Sequence, residues 1–208
     1  MTTRHDVRGF EGFDSAIIAR RIRGVAVIAA LCACALAAPG TTAAPVRYEV
    51  DPAHTEVTYT VLEFGFLPQR GRFLQTGGHV VLDREGGRAD VEILVDATSF
   101  DSGWDLRDAF ARSEVMLDAT HHPVIRFASH GKLWREAAPK EIDGNLWLRG
   151  VEHAVVLQVA AFECDAATCH AVARAQLHRS DYGMARYAPF LGDDVELAFD
   201  VALQRTGD

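Results

Sequence analysis

Three things are scarce in this chain of 208 residues, and each scarcity removes a class of protein. Basic charge is in deficit: 21 Lys and Arg stand against 29 Asp and Glu, a formal net charge of −8. Nucleic-acid binding demands a basic footprint, and electrostatic docking on anionic lipid a basic face, so composition speaks against both. No long apolar run follows Ala38, so no later transmembrane helix, which needs about 20 apolar residues, is expected. Cysteine is confined to Cys32, Cys34, Cys164 and Cys169. A nucleophile elbow, a P-loop, a dinucleotide glycine pattern and a metal motif are all missing. The chain therefore reads as no enzyme and calls for no cofactor or metal. His121 and His122 are adjacent and cannot form a one-face metal pair. Ser180 and Asp181 beside His178 make a triad on paper only, since spatial order cannot be read from spacing.

What is present starts with a basic cluster, Arg20-Arg21-Ile22-Arg23, followed by a nearly unbroken apolar run from Gly24 to Ala38. Small residues close it. This is the pattern of a secretory signal. Residues 1–44 read as signal peptide and processing region, and 45–208 as one domain. Cleavage after Ala44 or after Ala37, lipid attachment at Cys34, and a retained anchor remain alternatives. Export implies a periplasmic or secreted protein, without ATP or a reducing thiol pool. Cys164 and Cys169, spaced C-x4-C, suit a disulfide across a hairpin loop in such a compartment. Free thiols are the second reading, and a metal would need more ligands than the adjacent His170.

Alternation dominates the rest. Val57, Tyr59 and Val61 share one face; Val91, Ile93 and Val95 another; so do Val155, Leu157 and Val159, and Val195, Leu197, Phe199 and Val201. A period of two with one apolar face marks antiparallel strands with one buried side. Asp51-Pro52, Glu85-Gly86-Gly87, Asp143-Gly144, Arg149-Gly150 and Gly192-Asp193-Asp194 read as turns. Eight or nine strands are expected. Only Asp105 to Leu117 has helical spacing, with Ser102 or Asp101 as cap, and an Asp108–Arg112 pair at i and i+4. Strands of this number must close or stack to hide their edges. The expected fold is all-β: an antiparallel barrel of about eight strands with one short helix inserted mid-chain. Such a barrel has room for its own side chains or one small ligand. Ala171, Ala173 and Ala175 would leave space on one wall if they face inward.

Four motifs resemble the YceI-like family. The first runs Asp51-Pro52-Ala53-His54-Thr55-Glu56-Val57, then Phe64-Gly65 and Gly71 with Phe73. The others are Arg107-Asp108 with Arg112-Ser113 and Pro123 to Phe127; Leu146-Trp147-Leu148-Arg149-Gly150-Val151; and Arg179-Ser180-Asp181-Tyr182-Gly183-Met184. They stand in the family's order and span about Val46 to Leu203. The resemblance implies a lipocalin-like barrel whose apolar cavity binds a polyisoprenoid or isoprenoid-quinone-like amphiphile. The chain departs from the family at Phe110, Val115 and Met116, which gives the helix a more apolar face.

On this reading the cavity residues are Tyr59, Val61, Phe64, Phe66, Phe73, Ile93, Phe110, Phe127, Leu157 and Phe199. A head-group rim would comprise Trp104, Arg107, Arg112, Asp181 and Tyr182. A long-chain lipid is the expected partner. A non-enzymatic, stress-associated barrel acting through a membrane-protein partner is the alternative, and a homodimer is a further possibility of the family.

Overall fold

The computed structural model describes residues 44–133 and 139–206. The expected signal region, with Cys32 and Cys34, falls outside them. Eleven antiparallel segments occur: β1 Val46–Val50, β2 Glu56–Glu63, β3 Leu67–Phe73, β4 Thr76–Asp83, β5 Arg88–Asp96, β6 Phe100–Asp101, β7 Val124–Leu133, β8 Glu141–Leu148, β9 Val151–Cys164, β10 Thr168–His178 and β11 Leu191–Arg205. Helix α1, Asp105–Arg112, follows β6.

The ring runs β1-β4-β5-β7-β8-β9-β10-β11 and closes by β11 pairing back onto β1, an eight-stranded barrel that leaves few free edges. β2 continues β1 beyond a turn at Asp51-Pro52, and β3 leads into β4. β11 serves both halves of the bent first strand: Leu203 faces Val50, and Phe199 faces Val57. The Asp51 carboxylate fixes the bend. It accepts from the Ala53 N–H at 3.0 Å, from His54 Nδ1 at 2.8 Å and from Gln204 Nε2 at 2.6 Å. The Asp-x-x-His pattern is thus a staple between β1 and β11. The His54 contact, more than the backbone bond, holds the Asp51 carboxyl below the usual carboxylate range.

Alternation places the buried set inside. On β5, Ala89, Val91, Ile93 and Val95 are buried while the residues between them are not. Ala173 and Ala175 face inward, opposite Phe199 and Leu197, so large side chains of β11 stand beside small ones of β10.

Two expected turns lie inside strands. Asp143-Gly144 belongs to β8. A side chain at Gly144 would run into the Phe127 ring and the Ala128 carbonyl, so glycine is there for close packing, not reversal. Gly192-Asp193-Asp194 lies within β11, where the register against β2 shifts between Leu191 and Val195. The helix is also shorter than its apolar spacing suggests. Ser113 is extended and ends it, and Asp118 takes a positive φ of 48°. Trp104 occupies the N-cap position without a side-chain cap bond.

The Cys164–Cys169 disulfide is formed, between directly facing residues of the β9–β10 hairpin. It is compatible with an oxidising compartment.

Candidate ligand cavity

The barrel does not fill completely. Between its inner wall and α1 lies a cavity of about 140 Å³. β2, β5, β7, β8 and β11 line it in period two: Val57, Tyr59 and Val61; Ile93 and Val95; Ile125 and Phe127; Leu146 and Leu148; Val195, Leu197 and Phe199. Phe110 and Ala111 of α1, with Met116, Leu117 and Met184 from the flanking loops, cap it. The polar lining residues are Tyr59, Glu63, Gln69, Arg107 and Arg179.

Three of these polar groups have distinct surroundings. Tyr59 sits beside Gly71, whose missing side chain makes room for the ring. Burial pushes the Tyr59 hydroxyl up to about 12; Arg107 acts against this, and Asp108 and Glu63 reinforce it. The hydroxyl is therefore a neutral donor at physiological pH. Arg107 lies over the Trp104 ring, its guanidinium carbon 5.1 Å from the centroid. Among the described residues its guanidinium has no hydrogen bond or ion pair besides this ring contact. Arg179, 2% exposed, donates to the carbonyls of Gly192 at 2.7 Å, Arg186 at 2.8 Å, Leu191 at 2.8 Å and Met184. Burial lowers its pKa, and Asp193 opposes that shift. Arg179 pins the segment that carries Met184 over the cavity.

The structure brings Tyr59, Val61, Phe73, Ile93, Phe110, Phe127, Phe199 and Arg107 of the expected set onto this cavity. The others lie elsewhere for identifiable reasons. Phe64 and Phe66 occupy the β2–β3 turn, where the backbone reverses at positive φ (51° at Phe64) and the inward alternation ends. Both are exposed, with Phe64 edge-on to Phe190. Leu157 is buried on β9 opposite Ile142, away from the cavity. Trp104 is exposed and meets Arg107, outside the lining.

The remaining rim candidates hold the scaffold. Arg112 donates to the Thr98 and Phe100 carbonyls at 3.4 and 3.1 Å, tying α1 to β6. Its expected partner Asp108 is instead buried, accepting from the Ser102 N–H and hydroxyl at 2.8 and 2.6 Å. Asp181 is exposed, and its carbonyl contacts His153. Tyr182 is buried edge-on to His153, and burial pushes its hydroxyl up to about 12.

Glu63, Gln69, Arg179 and Met184 line the cavity without belonging to the expected site. Glu63 was within reach of parity, lying two residues beyond Val61 on the same face. In the Arg179-to-Met184 motif, the first and last residues line the cavity, and Asp181 and Tyr182 between them do not. No local signal distinguishes them. Among the described residues no cluster of three His, Cys, Asp or Glu side chains is placed to hold a metal.

A YceI-like domain profile matches residues 48–203. A UPF0312 protein of Vibrio parahaemolyticus is 28% identical over 128 residues, covering 61% of this chain and 68% of that protein. Protein YceI of Shigella flexneri is 27% identical over 122 residues, covering 58% and 63%. Among solved structures, Burkholderia cenocepacia BcnA gives a TM-score of 0.64 at 21% identity, covering 74% of this chain and 98% of that one. A polyisoprenoid binding domain from Saccharophagus degradans, implicated in plant cell wall breakdown, gives 0.61 at 15% identity, covering 76% and 98%. At these identities the structural likeness establishes the fold.

Proposed function

The chain belongs to the YceI-like domain family, and from that premise we propose that its barrel binds the apolar tail of an exported amphiphile, a polyisoprenoid or isoprenoid-quinone-like lipid, as a non-enzymatic carrier or buffer. The observation that carries this reading is the capped, almost wholly apolar cavity. Burial of a tail is worth about 0.8 kcal/mol per CH2 before ordering costs. Dryness therefore matters more than hydrogen bonds, and the period-two lining supplies it. Tyr59, Gln69, Glu63 and Arg107 give a few polar contacts for a head group at the cap.

Size sets a condition. At about 140 Å³ the cavity matches an engineered one of ~150 Å³ that accepts benzene. One branched, isoprene-sized group fits as it stands; a longer chain needs more room at the partly open cap. Met116 and Met184 are suited to this, because an unbranched thioether repacks at low cost. The name of the Saccharophagus degradans neighbour supports the choice of tail. The disulfide supports an oxidising compartment, hence periplasmic or secreted location after removal of residues 1–44.

The test is organic extraction and mass spectrometry of protein recovered from its own export compartment. Lipid above a control barrel is expected, reduced in Ala111→Phe, which fills the cavity from the cap. No lipid above the control would overturn the carrier reading and leave a barrel that acts through a protein partner.

A further inference from the structure

Helix α1 turns Phe110 and Ala111 to the cavity but leaves other apolar surface outside. Its one buried residue is Asp108, 6% exposed, whereas Leu106 is 68% exposed. A surface helix ordinarily gives its apolar stripe to the core. Two neighbouring elements behave alike. Phe66 in the β2–β3 turn is 77% exposed, and Phe190, just before β11, is 61% exposed. The three elements touch: the rings of Phe64 and Phe190 lie 6.0 Å apart, and those of Phe110 and Tyr187 lie 5.2 Å apart. Of the twelve large apolar side chains exposed on the described residues, nine belong to this one end. Scattered surface apolar residues need no explanation, but a continuous patch marks an interaction site.

The charges select the partner. The three elements and the adjoining ends of β2 and β3 place Arg70, Arg107, Arg112 and Arg186 against Glu63, Asp105 and Asp108, a surplus of one cation in a chain of net charge −8. Arg70, Arg107 and Arg186 have no side-chain hydrogen bond or ion pair among the described residues, whereas Arg72 of the same β3 strand is paired with Asp101. We propose that this end of the barrel docks on the phosphate-bearing interface of a lipid bilayer, its aromatic side chains at the acyl boundary and Arg70, Arg107 and Arg186 reaching lipid phosphates. Trp, Tyr and Phe suit that depth, and arginine can lay its stem on apolar surface while its head reaches a phosphate. A second copy is the poorer occupant, since a two-fold contact would set the unpaired Arg70, Arg107 and Arg186 of one copy against those of the other. The patch surrounds the cap of the cavity. If the cavity holds a tail, as proposed above, docking lets that tail pass between bilayer and barrel without crossing water.

The test is flotation of the processed, exported protein with phosphatidylcholine vesicles, which carry phosphate without net charge. The variant is Phe66→Ser, Leu106→Ser, Phe190→Ser, none of which lines the cavity. The parent should float, and the variant should partition about a hundredfold more weakly, from three half-inserted apolar side chains. Arg70→Glu with Arg186→Glu should also weaken flotation. Uptake of a fluorescent alkyl probe without vesicles should be the same in parent and variants. A parent that stays with the protein fraction, or a triple variant that floats equally well, would overturn the proposal. So would a parent dimer that the triple variant dissolves in the absence of vesicles. A parent that floats but takes up no probe would defeat the tail-binding reading and leave docking standing.

Discussion

Replacing Arg179 by lysine should unfold the cap over the cavity almost as effectively as replacing it by alanine. The guanidinium is buried and holds four carbonyls, those of Met184, Arg186, Leu191 and Gly192. Among the described residues no carboxylate forms an ion pair with it; Asp193 acts on it only at longer range. Hydrogen bonds from a charged donor contribute about 1.5–3 kcal/mol each. Their sum is not realised, because burying an ion costs several kcal/mol in return. The difference we expect for Arg179→Ala is a loss of about 2–4 kcal/mol, dominated by carbonyls left without a donor. Lysine retains the buried charge but offers a single compact ammonium, which cannot span the four acceptors. Urea unfolding followed by circular dichroism should therefore place Arg179→Lys within about 1 kcal/mol of Arg179→Ala, given the usual neglect of fork geometry by an ammonium. Hydrogen exchange should quicken first across residues 184–192. A lysine variant as stable as the parent would refute the reasoning, since charge alone would then suffice.

Three further outcomes are expected. Asp51 has a folded-state pKa held below its ordinary value, so its contribution to stability is present above the unfolded carboxylate pKa and is lost as pH falls through the depressed folded value. Asp51→Asn should flatten the acid limb of a melting-temperature profile, and an unchanged slope would contradict the staple. The Cys164→Ser, Cys169→Ser double variant should lose no more than about 2 kcal/mol in urea unfolding, because the loop closed is very short. Gly144→Ala should cost about 1–3 kcal/mol, since the added methyl drives the Phe127 ring into the cavity, and should weaken uptake of an alkyl probe; neutrality in both assays would show that the contact is slack.

Much of the barrel is legible in the sequence because alternation is a local property. Val57, Tyr59 and Val61 announce their shared face through spacing alone, and the same rule leads to Ile93 and to Leu197 with Phe199. Parity fails where the backbone stops alternating. Phe64 and Phe66 look like a continuation of β2, yet the reversal at Phe64-Gly65 turns both outward. Gly144 reads as a turn because its neighbour is Asp143, and only the Phe127 ring and Ala128 carbonyl of the adjacent strand explain it. Leu157 is inward as expected but sits at a level of the barrel that the cavity does not reach. Arg112 and Asp108 have the spacing of a helix ion pair, and nothing local discloses that Ser102 and the Phe100 carbonyl claim them first. Sidedness is written along the chain; depth and competition for partners are decided across it.

The double duty of β11 bears on how the molecule is made. This one strand joins β1, β2 and β10, so every earlier segment can be synthesised while the ring is still an open ribbon. A nascent chain lacking β11 presents two unsatisfied edges and the inner apolar faces of its remaining strands, the condition most prone to intermolecular pairing. Premature termination just before Leu191 should thus yield aggregates and proteolysis instead of a smaller working barrel, and any chaperone attending the chain would meet its greatest demand in the interval before that final strand emerges.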